Sequence, residues 1–312
     1  MIKASLNKAA PKKKNRMWNE LVKYKGLLML MIPGFLALII FKYLPMFGII
    51  IAFKDYKILD GVFGSAWVGL DNFKELFGSA EFAHVLRNTL LFSVTKMLFG
   101  TPAPIILALL LNEVRHTLYK KTIQTVSYMP YFFSWVMLGG IVKLLFSNTG
   151  PVNTVLASIG LEKIDFFANE ASFFWLVIGS AVWAGCGWGA IIYMATLSGI
   201  DETLYEAAAV DGAGKWKQIT KITIPCLIPT IVVVTILNLG NIMNAGFDQI
   251  YNLQNPLVYN ISDILETYNL RKMQTTDYSY GTAVGLFTSV VGLILVLGTN
   301  AWSKKISDNG LW

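Results

Sequence analysis

The chain has 312 residues, of which 54% are hydrophobic and only 14% are charged. A soluble domain usually carries about 25% charged residues, so this composition excludes an ordinary soluble protein and predicts a surface that largely faces lipid. The net charge of +7 is concentrated before the first apolar run. Next to a membrane span, such a basic segment sets orientation and contacts lipid headgroups, so we do not expect nucleic-acid binding.

Six apolar stretches are long enough to cross a bilayer, which takes about 20 residues per helix. In chain order they cover residues 27–52, 86–111, 122–146, 173–197, 226–250 and 281–302. The sequence therefore predicts an all-α integral membrane protein with one six-helix transmembrane domain, 27–302. A basic segment, 1–26, precedes this domain and a short tail, 303–312, follows it.

The distribution of Lys and Arg predicts the topology of these spans. With the N-terminus in the cytoplasm, the inside segments hold 16 Lys and Arg and the outside segments hold 6. Positive residues accumulate on the cytoplasmic side, so we expect both termini inside, in a bacterial plasma membrane. The segments 1–26, 112–121, 198–225 and 303–312 then face the cytoplasm.

The cytoplasmic loop 201–225, between the fourth and fifth spans, is too structured to be a simple linker. Residues 202–209 favour a helix, and Gly212 and Gly214 permit a sharp break. Residues 215–222 favour a second short helix, which we expect Pro225 to end before the next span. The pattern predicts a helix–turn–helix on the membrane surface, suited to fit a cleft of a partner and transmit movement.

The spacing in this loop resembles the EAA loop of type I ABC importer permeases. That motif is Glu-Ala-Ala, three residues, Gly, nine residues, Ile, any residue, Leu-Pro, and this chain departs from it mildly at Ile224. The resemblance implies an ATPase-coupling role for a set of loop residues. They are Glu206, Ala207, Ala208, Asp211, Gly212, Ala213, Gly214, Trp216, Ile222 and Pro225.

Further segments are similar to a carbohydrate-uptake subgroup of these permeases, the LplB/YteP-like polysaccharide-fragment permeases. They are 43–56, 67–73, 87–89, 99–115, 255–258 and 310–312. The resemblance implies a maltose-permease-like fold and import of oligosaccharides, several of which contain uronic acids. It also implies a second, homologous permease, two ATPase subunits that bind ATP and Mg²⁺, and an extracytoplasmic binding protein, with no cofactor in this chain.

The fifth span carries a polar stripe that is a candidate substrate path. Thr235, Asn238, Asn241, Asn244 and Asp248 recur every three or four residues, and Gln249 and Tyr251 follow at its outer end. Amides and carboxylates bind sugar hydroxyls, and aromatic faces suit sugar rings. Hydrogen bonding between helices is the alternative explanation for such residues.

Four basic residues fall within or at the ends of apolar spans: Lys42, Arg87, Lys96 and Lys143. Intramembrane cations are costly, and together they could line an electropositive vestibule for an acidic saccharide. Snorkelling explains Arg87 and Lys143 equally well, and it fits Lys96 poorly. Asp248 weakens the argument because it brings a negative charge.

Two other classes of function remain as alternatives. The chain has no GxxxxGK[ST] phosphate-binding loop, which agrees with an external ATPase. It could instead be a stand-alone secondary transporter, although such proteins often show internal repeats and 10–12 spans. A membrane-embedded enzyme is disfavoured because the sequence contains neither HExxH nor GxSxG.

Overall fold

A computed structural model describes residues 22–307, so the basic segment 1–26 and the tail 303–312 are covered only in part. The resembling segment 310–312 lies outside the described residues. Within them, five helices are long and apolar enough to cross a membrane, and a bent helix pair makes a sixth span when its two parts are taken together. The six spans in chain order are Lys25–Phe53, Ala80–Glu113, the bent pair Thr117–Phe132 with Trp135–Ser158, Glu170–Leu197, Lys215–Gly240 and Tyr278–Lys305. The predicted all-α membrane fold is confirmed.

The first span changes its helical pitch to accommodate a proline. It consists of an α-helix, Lys25–Leu38, a π-helical turn, Ile39–Tyr43, a short α-helix, Leu44–Met46, and a 3₁₀ stretch, Phe47–Phe53. Pro45 has no N–H to donate along the helix, and the wider π turn directly before it redistributes the hydrogen bonds. Side chains on this span are largely exposed, which leaves it free to face lipid or a partner chain.

The second span joins an α-helix, Ala80–Gly100, to a second one, Pro102–Glu113, because prolines favour the first turn of a new helix. The third span is not the single helix predicted at 122–146. Its helix Thr117–Tyr128 passes through a 3₁₀ turn, Met129–Phe132, and the chain then bends by 110° before the helices Trp135–Phe146 and Pro151–Ser158. Pro130 and the extended Phe133 end the first part, and Ser134 caps the helix that follows.

The fifth span also differs from its prediction at both ends. It begins at Lys215, passes through a π turn, Ile219–Thr223, and continues as the α-helix Ile224–Gly240. Pro225 therefore does not end the preceding short helix, because a π turn precedes it as one precedes Pro45. At the other end the helix stops at Gly240 rather than at residue 250.

The segments predicted to lie outside are ordered. The first holds an antiparallel strand pair, Lys54–Asp55 with Ala66–Trp67, which the all-α prediction did not include. The helices of these segments are Gly61–Gly64, Asp71–Gly78, Phe247–Leu253, the 3₁₀ turn Pro256–Val258, Tyr259–Ser262 and Leu265–Gln274. They pack over the ends of the spans.

The fourth span, Glu170–Leu197, lies at the centre of the bundle and is the most buried of the spans. It packs against the second, third and fifth spans. Gly187 makes its closest approach, because a Cβ there would overlap the backbone of Ser127. A side chain at Gly189 would also press on Pro104, whereas Gly185 has open space around it. Of the two glycines Gly185 and Gly189, which are one helical turn apart, only Gly189 therefore makes a close contact.

Candidate functional site: the 201–225 loop and the cavity at the break in the fifth span

The first helix of the loop, Glu202–Val210, begins and ends with local capping. Asp201 accepts a hydrogen bond from the Thr203 N–H at 2.9 Å, and this bond lowers the pKa of Asp201 below its usual value. A carboxylate at this end also suits the helix dipole. The helix therefore starts at a fixed residue.

The helix ends in a Schellman motif centred on Gly212. The Ala213 N–H donates to Ala208 O at 2.8 Å, and the Gly212 N–H donates to Ala209 O at 3.0 Å. This pair of bonds needs a left-handed residue at the turn, and Gly212 has φ +76°. Glycine fits because it has no Cβ to oppose this conformation. The predicted sharp break is therefore observed at Gly212, whereas Gly214 is extended, with φ −67°.

Three contacts tie the turn to the membrane helices. Gln218 donates to Ala213 O at 3.2 Å across the turn, and the hydroxyls of Tyr205 and Thr223 are 2.9 Å apart. Lys215 forms an ion pair of 3.0 Å with Glu113, at the end of the second span. Because its second helix is continuous with the fifth span, the loop is joined covalently to two spans and by this ion pair to a third.

The outer face of the loop exposes large side chains. Val210 is 88% exposed and Trp216 is 77% exposed. Glu206 is also exposed, and among residues 22–307 its carboxylate has no hydrogen-bond or ion-pair partner. Ile222 and Ala208 are partly buried. An exposed Trp on a rigid turn is typical of an anchor for a partner protein.

The polar stripe predicted on the fifth span is broken. The helix ends at Gly240, and Ala245 and Gly246 are left-handed, with φ 52° and 79°. The Asn244 side chain then accepts from the Gly246 and Phe247 N–H groups at 3.1 and 3.3 Å and starts a new helix. Asn forms such caps readily, so the prediction of one continuous helical face from Thr235 to Asp248 is wrong.

Lys96, from the second span, donates hydrogen bonds to residues on both sides of this break. Its ammonium donates to Ala245 O at 2.7 Å and to Gln249 Oε1 at 2.6 Å. Gln249 in turn donates to Val177 O at 2.7 Å and Ser180 Oγ at 2.8 Å. A chain of hydrogen bonds thus links the second, fourth and fifth spans at the break.

Two cavities meet at Lys96 and Gly246. The larger has a volume of about 610 Å³, and its lining includes Tyr131, Ser134, Trp135, Asp248, Gln249 and Asn252. The smaller has a volume of about 230 Å³, and Asn238 and Asn241 line it. Apart from Thr235, the substrate-path candidates are eight: six residues of the predicted fifth span and its outer end, from Asn238 to Tyr251, and the basic residues Lys42 and Lys96. Five of these eight, Lys96, Asn238, Asn241, Asp248 and Gln249, line one space or the other.

The remaining three candidates lie elsewhere. Lys42 is exposed on the first span, Asn244 donates to Glu266 at 2.7 Å, and Tyr251 stacks on Phe247 with ring centres 5.3 Å apart. Arg87 and Lys143 line neither cavity, so the predicted four-cation vestibule does not form around this space.

Several polar residues of the site were not predicted. Ser180 lies in otherwise apolar sequence and Asn252 in a polar stretch beyond the predicted fifth span, and only the fold brings them to the break. Glu266 lies in an outer segment, where burial and then the charge of Asp248 raise its pKa to about 6. The Asn244 hydrogen bond opposes that shift by favouring the carboxylate.

Comparison with known proteins identifies the family. Residues 100–308 match the family model of the binding-protein-dependent transport system inner membrane component. The chain belongs to this family. It is therefore an inner-membrane permease subunit of an ABC importer that works with a binding protein, and it is not itself an enzyme.

Relatives and solved structures agree with this assignment over nearly the whole permease. Protein LplB of Bacillus subtilis (strain 168) is 45% identical over 291 residues, 92% of this chain and 91% of the relative. The polygalacturonan/rhamnogalacturonan transport system permease protein YteP of the same organism is 40% identical over 302 residues, 96% of this chain and 94% of the relative. The predicted resemblance to this subgroup is confirmed.

The fold of the permease matches two solved chains of bacterial alginate importers. One comes from an ABC transporter involved in the import of the acidic polysaccharide alginate, with TM-score 0.86, 38% identity, and coverage of 94% of this chain and 99% of that one. The other comes from an alginate ABC transporter in complex with an alginate pentasaccharide-bound periplasmic protein. Its TM-score is 0.87 at 38% identity, with coverage of 95% and 100%.

Proposed function

We propose that this permease pairs with a second, homologous permease and that the pair is driven by two copies of a separate ATPase, one of which docks on the loop 201–225. The observation that carries the proposal is the rigid, exposed helix–turn–helix of that loop. Its Schellman turn at Gly212 presents Val210 and Trp216 to solvent. ATP and Mg²⁺ then bind to the partner, in the cytoplasm, where the distribution of positive residues puts this loop.

The attachments of the loop support a mechanical role. A force on Trp216 passes along one continuous helix into the fifth span and, through the Lys215–Glu113 ion pair, to the end of the second span. Closure of the ATPase pair on ATP would move the loop and open the spans outward. The binding protein would then deliver its saccharide to the open cavity.

The substrate we propose is an oligosaccharide from an acidic polysaccharide. YteP is described as a polygalacturonan/rhamnogalacturonan permease, and the structural neighbour as an importer of alginate. The cavity at the break in the fifth span offers groups that suit such a ligand. Asn252 and Gln249 provide amides for hydroxyls, Tyr131 and Trp135 provide aromatic faces, and Lys96 provides a positive charge.

Transport by the reconstituted importer tests the proposal against a stand-alone secondary transporter. Proteoliposomes would contain this permease with its co-purified permease and ATPase, and uptake of a uronate oligosaccharide would be followed in the presence of the binding protein. We expect uptake only when ATP is present on the ATPase side. Uptake driven by an ion gradient in vesicles that contain this chain without any ATPase would overturn the proposal.

A further inference from the structure

Lys96 is a basic residue inside the bundle that forms no ion pair with any other residue of the described part of the chain. Among residues 22–307 no carboxylate lies within ion-pair distance of its ammonium, and its hydrogen-bond acceptors are both neutral, Ala245 O and Gln249 Oε1. An ammonium has three donors, and these contacts use two of them. Lys96 is partly buried, and a partly buried charge without a counter-charge is costly, so the site would gain stability from an arriving anion.

The surroundings of Lys96 leave room for such an anion. The ammonium borders both the 610 Å³ cavity and the 230 Å³ cavity. Gly246 keeps this junction open, because a Cβ there would come within 2.7 Å of the Lys96 ammonium. A ligand that follows the path from one cavity to the other therefore passes this charge.

The contacts of Lys96 are also exchangeable. A carboxylate accepts a stronger, charge-assisted hydrogen bond than the neutral amide oxygen of Gln249. If Gln249 Oε1 gave way, the Gln249 amide N–H₂ would keep its bonds to Val177 and Ser180, so the fourth span would stay attached to the site. Exchange at the ammonium thus costs one hydrogen bond to a neutral acceptor.

We propose that Lys96 is the receptor for one uronate carboxylate of the passing oligosaccharide and so determines selectivity for acidic over neutral saccharides. This inference rests on the proposed function. Asp248 lines the larger cavity and repels carboxylates that are not bound to Lys96, so the cavity does not bind anions unselectively. The site therefore recognises one carboxylate at a fixed place in a ligand whose other contacts are hydroxyls and ring faces.

Binding to the complete solubilised importer, without the binding protein, tests this inference. Equilibrium dialysis would compare trigalacturonate with its carboxyl-reduced, neutral counterpart, so that the selectivity of the binding protein does not enter. We expect wild type to bind the acidic ligand at least about 10-fold more tightly, as one charge-assisted contact predicts. Lys96→Met should abolish this preference and leave affinity for the neutral ligand within about twofold, since its hydroxyl contacts remain.

Two variants serve as controls. Lys96→Arg keeps the charge and should retain the preference for the acidic ligand. Lys143→Met removes an intramembrane lysine that lines neither cavity and should change nothing. Equal weakening of both ligands by Lys96→Met would show that Lys96 only supports the turn at Ala245, and would overturn the inference.

The remaining outcomes also decide the question. Equal affinity of wild type for both ligands, or no detectable binding of either, would contradict a carboxylate receptor at Lys96. ATP-dependent uptake by the same preparation in vesicles would then show that the proposed function survives. Absence of ATP-dependent uptake would instead refute the proposed function itself.

Discussion

Gly212→Ala should uncouple transport from ATP hydrolysis through backbone strain alone. Gly212 has φ +76°, and a Cβ there would meet no atom within 4 Å. The cost is therefore conformational rather than steric. A non-glycine residue in the left-handed region costs roughly 1–2 kcal/mol, which lowers the ratio of the Schellman turn to its alternative conformations by a factor of about 5–30. Saccharide-stimulated ATP hydrolysis by the reconstituted importer should fall by up to about 30-fold, while membrane insertion stays normal.

Gly214 provides the matched control. It is also exposed with open space around it, but its φ of −67° and ψ of 167° are allowed for any residue. Gly214→Ala should therefore retain near-normal stimulated hydrolysis, and Gly212→Asn should fall between the two, since Asn tolerates the left-handed region. Equal losses in Gly212→Ala and Gly214→Ala would refute the argument from backbone conformation.

Three further predictions concern the docking face, the helix packing and the pH response. Trp216→Ala should change thermal stability little, because the side chain is 77% exposed. The loss of Trp216, as an interface anchor worth about 2 kcal/mol, should lower the affinity for the ATPase by about 30-fold. Unchanged co-purification of the ATPase with the variant would contradict this. Gly187→Ala should destabilise the bundle by about 1–3 kcal/mol or more, because the new Cβ would overlap the backbone of Ser127. Gly179→Ala should not destabilise it, because a Cβ there has no described atom within 4 Å. Thermal unfolding in detergent would measure both effects. Burial raises the pKa of Glu266 from 4.5 to about 6. Between these pH values the folded state binds more protons than the unfolded state, so stability falls as the pH rises. Solvent screening limits this effect to about 1 kcal/mol, and the melting temperature of Glu266→Gln should vary less than that of wild type between pH 4.5 and 6.

Hydropathy and residue spacing predicted what depends on local composition. Long apolar runs located the first, second, fourth and sixth spans within several residues, because the length required by a bilayer and the burial of backbone groups leave few alternatives. The third span bends, and the fifth begins and ends earlier than predicted. The breaks within spans were harder. The helices continue through Pro45 and Pro225 because a π turn comes before each of them, whereas the chain bends by 110° after Pro130. The same residue type gives different outcomes because neighbouring helices decide whether a helix continues through it.

The candidate site likewise combines features that local sequence predicts with features that depend on distant residues. The loop spacing located Gly212 and its turn, since a Schellman motif is a local structure. The polar stripe on the fifth span was assigned to one helical face, and the Asn-rich segment before Gly246 instead forms a cap and turn. Lys96 contacts that turn although it is far away in the sequence, and residue spacing alone carries no information about such a contact.

The central claim, that a separate ATPase docks on the loop 201–225, is tested most directly by site-directed crosslinking. In a background with Cys186→Ala and Cys226→Ala, Val210→Cys would place a thiol at a loop position that is 88% exposed. Leu59→Cys would place one at a 99% exposed position in the segment predicted to lie outside. We expect a nucleotide-dependent crosslink from residue 210 to the ATPase and none from residue 59. A crosslink to the ATPase from residue 59, or none from residue 210 in an importer active in ATP-driven uptake, would contradict it.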